Sequence, residues 1–123
     1  RVRGWGSYFD PNIYRGFVTA PGQNRMITVL FYLSDVEQGG ETVFPLAGDD
    51  RPMKDFSDCN RGIKVAPRAG DAVMFYSMLA HNHMEVCPPG NLGCNLDVKS
   101  LHGSCDVLRG EKWAANYWIS NKV

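Results

Sequence analysis

The stretch M-I-T-V-L-F-Y-L, Met26 to Leu33, is aliphatic and aromatic and is interrupted only by Thr28. A short run of this kind, without glycine or proline, predicts a buried β-strand. Outward from it, further short strands are predicted between turns rich in glycine and proline, at Glu41–Phe44, Gly62–Ala66, Ala72–Tyr76, Ser100–Gly103 and Lys112–Ile119. No stretch has both a helical period and enough length for a helix. The pattern therefore predicts a mainly-β fold, a sandwich or a jelly-roll barrel.

Length and charge narrow the class of protein. The 123 residues fit one domain, residues 1–123, with one core. The 13 basic and 13 acidic side chains cancel, so nothing indicates binding to nucleic acid or to an anionic membrane. The longest apolar run, Ile27–Leu33, is too short to cross a bilayer, so no membrane segment is expected in this chain. The chain opens with Arg1 rather than Met, which is consistent with a piece of a longer protein.

Four cysteines, Cys59, Cys87, Cys94 and Cys105, lack the close C-x-x-C spacing of a zinc site. Cys87 and Cys94 bracket a loop rich in proline and glycine that a disulfide could close. Two interpretations stay open on the residues alone: disulfides in an oxidising compartment, or buried thiols in a cytosolic protein.

Two candidate site residues lie in one segment, Ser100 to Ile119, S-L-H-G-S-C-D-V-L-R-G-E-K-W-A-A-N-Y-W-I. A single histidine such as His102 is more often a packed or surface residue than a ligand. Here, however, Lys112 follows ten residues later after a turn at Gly110, and two adjacent strands would bring both side chains together. A metal at one end and an ammonium at the other suit a dianionic cosubstrate.

This segment resembles the distal half of the prolyl 4-hydroxylase active site, L-H-G-x-C-x-V-x-x-G-x-K-W-x-x-x-x-W-I. A second block, Arg25–Pro45, is similar to the family pattern R-x-x-T-x-L-x-Y-L-x-x-V-x-x-G-G-E-T-x-F-P. A third, Gly62–Tyr76, is similar to the strand–turn–strand between them. The three blocks occur in family order, and together they are far more specific than any one of them.

The resemblance implies a double-stranded β-helix (jelly-roll) fold, incomplete at its amino-terminal side, and an Fe(II)/2-oxoglutarate-dependent dioxygenase. In that family 2-oxoglutarate is decarboxylated to succinate, a peptidyl proline is hydroxylated, and ascorbate restores the iron. His102 then corresponds to the distal iron ligand, and Lys112 to the partner of the far carboxylate of 2-oxoglutarate. Tyr32 stands where a tyrosine can bind the same carboxylate, although it could also be plain core.

The resemblance has further implications outside the metal site. Cys59 and Cys105 occupy positions where relatives carry cysteines, which makes a bond between them plausible. The endoplasmic reticulum lumen or secretory pathway is the compartment it implies. Trp113 and Trp118 are expected in the core, and Gly39-Gly40 is expected to serve backbone geometry.

The family's H-x-D motif, which supplies the other histidine and the carboxylate, has no counterpart in Arg1–Pro11, which contains no histidine. Asp10 is the only carboxylate there, and His81 and His83 are weak substitutes in a long loop. Three explanations stay open: a fragment, an altered amino terminus, or an inactive homologue with a structural or protein-binding role. If strands are missing, a preceding segment or a partner chain is needed to complete the fold, because this piece alone would expose apolar surface.

Overall fold

The computed structural model describes residues 23–49, 51, 55, 57–79 and 97–122. Within these ranges the chain forms one short 3-10 helix at Val98–Ser100 and eight strands: β1 (Gln23–Tyr32), β2 (Val36–Gly39), β3 (Thr42–Phe44), β4 (Ile63–Val65), β5 (Ala72–Tyr76), β6 (Gly103–Ser104), β7 (Val107–Gly110) and β8 (Ala114–Lys122). The predicted mainly-β class is confirmed. No helix in the described ranges is long and apolar enough to span a membrane.

Strand β1 is the centre of the first sheet, whose order is β5-β1-β8 with both pairings antiparallel. Its alternate residues Thr28, Leu30 and Tyr32 are buried. Because side chains alternate across a strand, these three share one face of the sheet, called here the inner face.

The second sheet has the order β4-β3-β6 and lies against the inner face. Every residue of β3 is buried, and its Phe44 ring meets the Phe75 ring of β5 edge-on at 5.1 Å between centroids. Two antiparallel sheets closed over a shared apolar layer form the architecture of a jelly roll.

A two-stranded ribbon of β2 and β7 continues the β3–β6 pair. Gly39 and Gly40 connect β2 to β3 with φ angles of 77° and 72°, a left-handed region that favours glycine. A Cβ on Gly39 would overlap the backbone oxygen of Asp106, and the Gly40 amide donates to that same oxygen at 2.9 Å. The glycine pair therefore serves backbone geometry, as its sequence predicts.

A β-bulge at Met26 changes which way Arg25 points. The β1–β8 register passes from Arg25 opposite Ser120 to Ile27 opposite Ile119, so β1 has one extra residue. Arg25 consequently shares the face of Ser120 and Trp118, which is the inner face, whereas strict alternation would have turned it outward.

The strand predicted at Ser100–Gly103 is wrong. Asp97 instead begins the 3-10 helix, its carboxylate accepting from the Lys99 amide at 2.9 Å, and β6 follows only at Gly103. Asp at this position offers the backbone a local alternative to strand pairing. Strands β2 and β7 were not predicted either, since V-E-Q-G and V-L-R-G are short and show no alternation of apolar and polar residues.

The prediction that both tryptophans are core residues is also wrong: Trp113 is 64% and Trp118 47% exposed. The opposite, outer face of the first sheet likewise carries exposed apolar side chains, among them Phe31, Met74, Tyr76 and Tyr117. The strand register places them on one face, with Met74 and Tyr117 opposite Val29 and Tyr76 opposite Ile27, so they form one surface rather than scattered contacts.

A disulfide joins Cys59 to Cys105, with 5.9 Å between the Cα atoms. It ties the loop before β4 to the residue that follows β6, and Cys105 is buried. The same loop is held by Arg61, whose guanidinium donates to the Pro45 carbonyl at 3.1 Å and to the Asp49 carboxylate at 3.0 Å. The end of β6 is thus fixed covalently as well as by pairing with β3.

Replacing both cysteines, Cys59→Ser and Cys105→Ser, should lower the free energy of unfolding by about 2–4 kcal/mol, because the bond closes a long loop in the unfolded chain. The sequence separation of the two cysteines is 46. Urea unfolding without reductant measures the loss, and peptide mapping identifies the bond. Equal midpoints for the double variant and the unchanged chain would contradict this expectation.

Candidate functional site

Four polar side chains lie close together at the inner face: Tyr32, Thr42, Ser104 and Lys112. The Tyr32 hydroxyl donates to Thr42 Oγ1 at 2.8 Å, and both residues are buried. Lys112 Nζ donates to Ser104 Oγ at 3.0 Å and lies 5.8 Å from the centre of the Tyr32 ring. We call these four residues the hydroxyl–lysine cluster.

The strand register explains why the cluster forms. Tyr32 ends β1, Thr42 begins β3, and Thr42 stands opposite Ser104 of β6. Lys112 lies in the connection between β7 and β8, beside the end of β1 where Tyr32 pairs with Ala114. Residues far apart in the chain are therefore brought together by two strand pairings, β1 with β8 and β3 with β6.

The cluster is suited to a carboxylate. Lys112 is half-buried, and that burial lowers the pKa of its ammonium while the charge of Glu41 opposes the shift. Thr42 Oγ1 accepts from Tyr32 and still has its own O–H to donate. A partly desolvated ammonium with an adjacent hydroxyl donor makes strong charge-assisted bonds to an incoming carboxylate oxygen.

His102 lies directly before β6, with its ring against two phenylalanines. The ring centroid is 4.7 Å from that of Phe75 and 5.7 Å from that of Phe44, so the ring is desolvated on the side of these phenylalanines although the residue as a whole is exposed to solvent. Its Nδ1 is 3.0 Å from the Ser100 carbonyl oxygen. Since a carbonyl only accepts, Nδ1 carries the proton in this bond, and the neutral ring keeps its lone pair on Nε2.

Burial lowers the pKa of His102, and the positive charge of Arg25 lowers it further, against the opposing effect of the Ser100 carbonyl. The imidazole is thereby held in its neutral form, the form that ligates metals. A carbonyl that holds the other ring nitrogen is the usual arrangement behind a metal-bound histidine.

His102 and Lys112 both reach the β3–β6 pair. His102 contacts Phe44 of β3, and Lys112 bonds Ser104 of β6, two residues after His102. Residues two apart in extended backbone project to the same side of the strand. Ser104, which bonds the Lys112 ammonium, therefore projects to the same side as His102. That the imidazole and ammonium grip one small diacid stays a prediction.

Arg25 also lies on the inner face, although the sequence motifs do not identify it as a site residue. Its guanidinium carbon lies 3.8 Å from the centre of the Trp118 ring, a cation–π contact, and its charge acts on His102. The Met26 bulge that turns it inward leaves no mark in an alternating pattern. Bulges of this kind often re-aim a side chain near a functional site.

Thr42 and Ser104 were missed for a different reason. Threonine is an ordinary strand residue, and Thr42 drew attention only within the G-G-E-T motif. Ser104 occupies a position that the family pattern leaves unspecified. Only the pairing of β3 with β6 shows that the two face each other.

Several predicted candidates lie outside the described residues, namely Asp10, His81, His83, Cys87, Cys94 and the Arg1–Pro11 segment. Among the residues that are described, no group of three His, Cys, Asp or Glu side chains is placed to hold a metal. His102 is therefore a candidate ligand whose companions would have to come from elsewhere in the chain or from another segment.

A family model described as the 2OG-Fe(II) oxygenase superfamily matches residues 8–120. The chain is 43% identical to probable prolyl 4-hydroxylase 3 of Arabidopsis thaliana, with 93% of this chain and 38% of that protein covered. It is 42% identical to prolyl 4-hydroxylase 1 of the same plant, with 83% of this chain and 31% of that protein covered. The chain thus spans about a third of the length of these relatives.

Among solved structures, the chain resembles the viral collagen prolyl hydroxylase vCPH of Paramecium Bursaria Chlorella virus-1, crystallised as a 2OG complex. The TM-score is 0.53 at 26% identity, and the match covers 97% of this chain and 49% of the viral chain. The jelly-roll fold predicted from the sequence is confirmed by this likeness.

An NMR pH titration should show the His102 ring titrating below the ordinary value of 6.5, because burial and Arg25 both disfavour the imidazolium. As the pH falls, the unfolded chain then takes up this proton first. The contribution of neutral His102 to stability is therefore present above about pH 6.5 and is lost as the pH falls through the folded-state pKa. The signal is assigned by its loss in His102→Gln. A His102 pKa at or above the ordinary value would contradict the packing described here.

Proposed function

Because the chain belongs to the 2OG-Fe(II) oxygenase superfamily, as a member of its prolyl 4-hydroxylase family, we propose that it forms the carboxyl-terminal part of a prolyl 4-hydroxylase active site. The reaction is hydroxylation of a peptidyl proline with Fe(II), O2 and 2-oxoglutarate, and with ascorbate as the reductant that maintains the iron. The observation that supports this most directly is the hydroxyl–lysine cluster on the inner face.

Lys112 and Tyr32 would bind the far carboxylate of 2-oxoglutarate, together with Thr42. The Lys112 ammonium supplies the opposite charge, and its partial burial strengthens the attraction by excluding water. Tyr32, only 1% exposed, is held beside Thr42 by its hydroxyl bond, and its O–H would turn from Thr42 to the carboxylate when the cosubstrate binds. A preorganised pair of this kind loses little side-chain entropy when the carboxylate arrives.

His102 is the residue we propose for iron in the described part of the chain. Its neutral ring, with Nδ1 held by Ser100, fits a ligand that uses Nε2. When bound, Fe(II) and 2-oxoglutarate supply the oxygen activation that a proline C–H bond requires. A facial site of two histidines and one carboxylate needs two more ligands than His102 provides.

Arg25 and Trp118 are the residues that we propose for peptide binding. Trp118 presents half of its surface, and Arg25 lies across the ring on the same side of the sheet as His102. The guanidinium can donate to peptide carbonyls, and the aromatic face suits a proline ring. We assign them to substrate binding beside the iron.

Two other features support proposals about the compartment of the protein and about what covers the first sheet. The Cys59–Cys105 disulfide supports an oxidising compartment, such as the endoplasmic reticulum lumen or the secretory pathway. The apolar outer face supports the proposal that a preceding segment or a partner chain packs on the first sheet.

A second candidate function is a catalytically inactive module of the same fold that binds another protein. It is favoured by one observation: no histidine precedes β1 in this sequence, whereas the family motif places one there. The two candidates differ in metal content. Stoichiometric iron in natively purified protein supports the enzyme, and its absence after reconstitution with Fe(II) supports the inactive module.

Replacing Lys112 with alanine should weaken 2-oxoglutarate binding by about 2–4 kcal/mol, roughly 30- to 700-fold, because one partner of a half-buried charge pair is lost. Calorimetric titration of 2-oxoglutarate in the presence of Fe(II) without oxygen measures it, and succinate release with proline peptides measures turnover. Lys64→Ala, an exposed lysine on β4, is the matched control and should bind like the unchanged chain.

Two results would count against the proposal. An unchanged chain that binds no 2-oxoglutarate rules out the cosubstrate site. A Lys112→Ala variant that binds as tightly as Lys64→Ala shows that the site lies elsewhere.

A further inference from the structure

Ser34 holds the backbone on both sides of Lys112. Its hydroxyl donates to the Glu111 carbonyl oxygen at 2.9 Å and accepts from the Trp113 amide at 2.9 Å. One side chain thus bonds the peptide groups of both neighbours of the lysine, using the donor and the acceptor capacity of a single hydroxyl.

The segment that Ser34 holds has no strand pairing of its own. Strand β7 ends at Gly110, β8 begins at Ala114, and residues 111–113 connect them. Apart from the Ser34 bonds, the backbone contact between this connection and the end of β1 is the Leu33 amide, which donates to the Trp113 carbonyl at 2.8 Å. Ser34 therefore contributes two of the three bonds described between these two segments.

The position of the Lys112 ammonium depends on this backbone. Nζ stands at the end of a flexible stem with four methylene groups, and its bond to Ser104 fixes only the far end. Tyr32, two residues before Ser34, lies under the same ammonium. A shift of the 111–113 connection would move Nζ relative to Tyr32 and Thr42, and misplacement by about 1 Å is enough to weaken a bound group strongly.

We propose that Ser34 is a positioning residue for the carboxylate site: by bonding both peptide groups that flank Lys112, it sets the affinity for 2-oxoglutarate. This inference rests on the proposed function. Ser34 does not itself touch the cosubstrate, and it acts through Lys112.

The test compares the full chain with Ser34→Ala, Ser34→Thr and Ser57→Ala. Ser34→Ala should raise the Kd and the KM for 2-oxoglutarate about 5- to 30-fold, the equivalent of two lost hydrogen bonds of ordinary strength. The kcat at saturating 2-oxoglutarate and the KM for the peptide should stay within about twofold, since the reacting groups are unchanged. Ser34→Thr keeps the hydroxyl on a half-buried side chain and should restore most of the affinity.

Ser57→Ala is the matched control. Its hydroxyl makes a similar bond, to the Asp55 carboxylate at 2.8 Å, in an exposed turn. The removal of that hydroxyl should leave 2-oxoglutarate binding unchanged.

A second readout needs no bound cosubstrate. Amine acetylation followed by mass spectrometry compares the labelling rate of Lys112 with that of exposed Lys64 in the same molecule. Lys112 should react more slowly than Lys64 in the unchanged chain. In Ser34→Ala the labelling rate of Lys112 divided by that of Lys64 should rise severalfold. In Ser34→Thr this ratio should return to its value in the unchanged chain.

The outcomes separate the two claims. If the unchanged chain binds 2-oxoglutarate and Ser34→Ala binds it equally well with an unchanged labelling ratio, the positioning role is overturned and the proposed function stands. If the unchanged chain binds none, the proposed function fails and this inference fails with it. A loss of kcat, thermal stability and peptide affinity together, without rescue by threonine, would show a merely structural serine.

Discussion

Strand β1 is hydrogen-bonded along both edges, to β5 and to β8, and this double pairing constrains the rest of the molecule. It fixes which β1 side chains lie on the inner face and which lie on the outer face. The pairing sets Tyr32 beside Ala114, and so places the 111–113 connection against the end of β1. It also sets Thr28 opposite Phe75, the residue that packs on His102 and Phe44. A slip of one residue would exchange the two faces and separate the lysine from the hydroxyls.

Desolvation acts on the two central side chains with opposite consequences. For His102 it favours the neutral ring, which is the form a metal needs. For Lys112 it disfavours the ammonium, which is the form a carboxylate needs. The lysine is therefore held at some energetic cost until an anion arrives, and Ser104 and the charge of Glu41 offset part of that cost. Such a site favours a charged ligand over a neutral one of similar shape.

Much of the fold could be predicted from the sequence, because it is recorded in apolar runs. Strand β5 was predicted at its observed bounds, and β1, β3 and β4 within a few residues, since each is an apolar or alternating run between turns. The ribbon of β2 and β7 could not be found this way, because V-E-Q-G and V-L-R-G are only four residues each, with no apolar alternation. His102, Lys112 and Tyr32 were singled out by motif and spacing. Thr42, Ser104, Ser34 and Arg25 depend on register, on a bulge and on bonds between distant segments, none of which a local pattern records.

The β-bulge at Met26 affects how strand β1 tolerates a change in its length. Downstream of the bulge, the inner and outer sets are fixed by the two neighbouring strands, so a deletion there could be absorbed only upstream. Losing Met26 itself would restore simple alternation and keep Arg25 opposite Ser120 on the inner face, because Arg25 would then directly precede Ile27. The sheet itself could persist with its hydrogen bonds intact. A one-residue deletion at the bulge is therefore expected to leave Arg25 on its face of the sheet, whereas a one-residue deletion between Ile27 and Tyr32 would exchange inner and outer side chains along part of the strand.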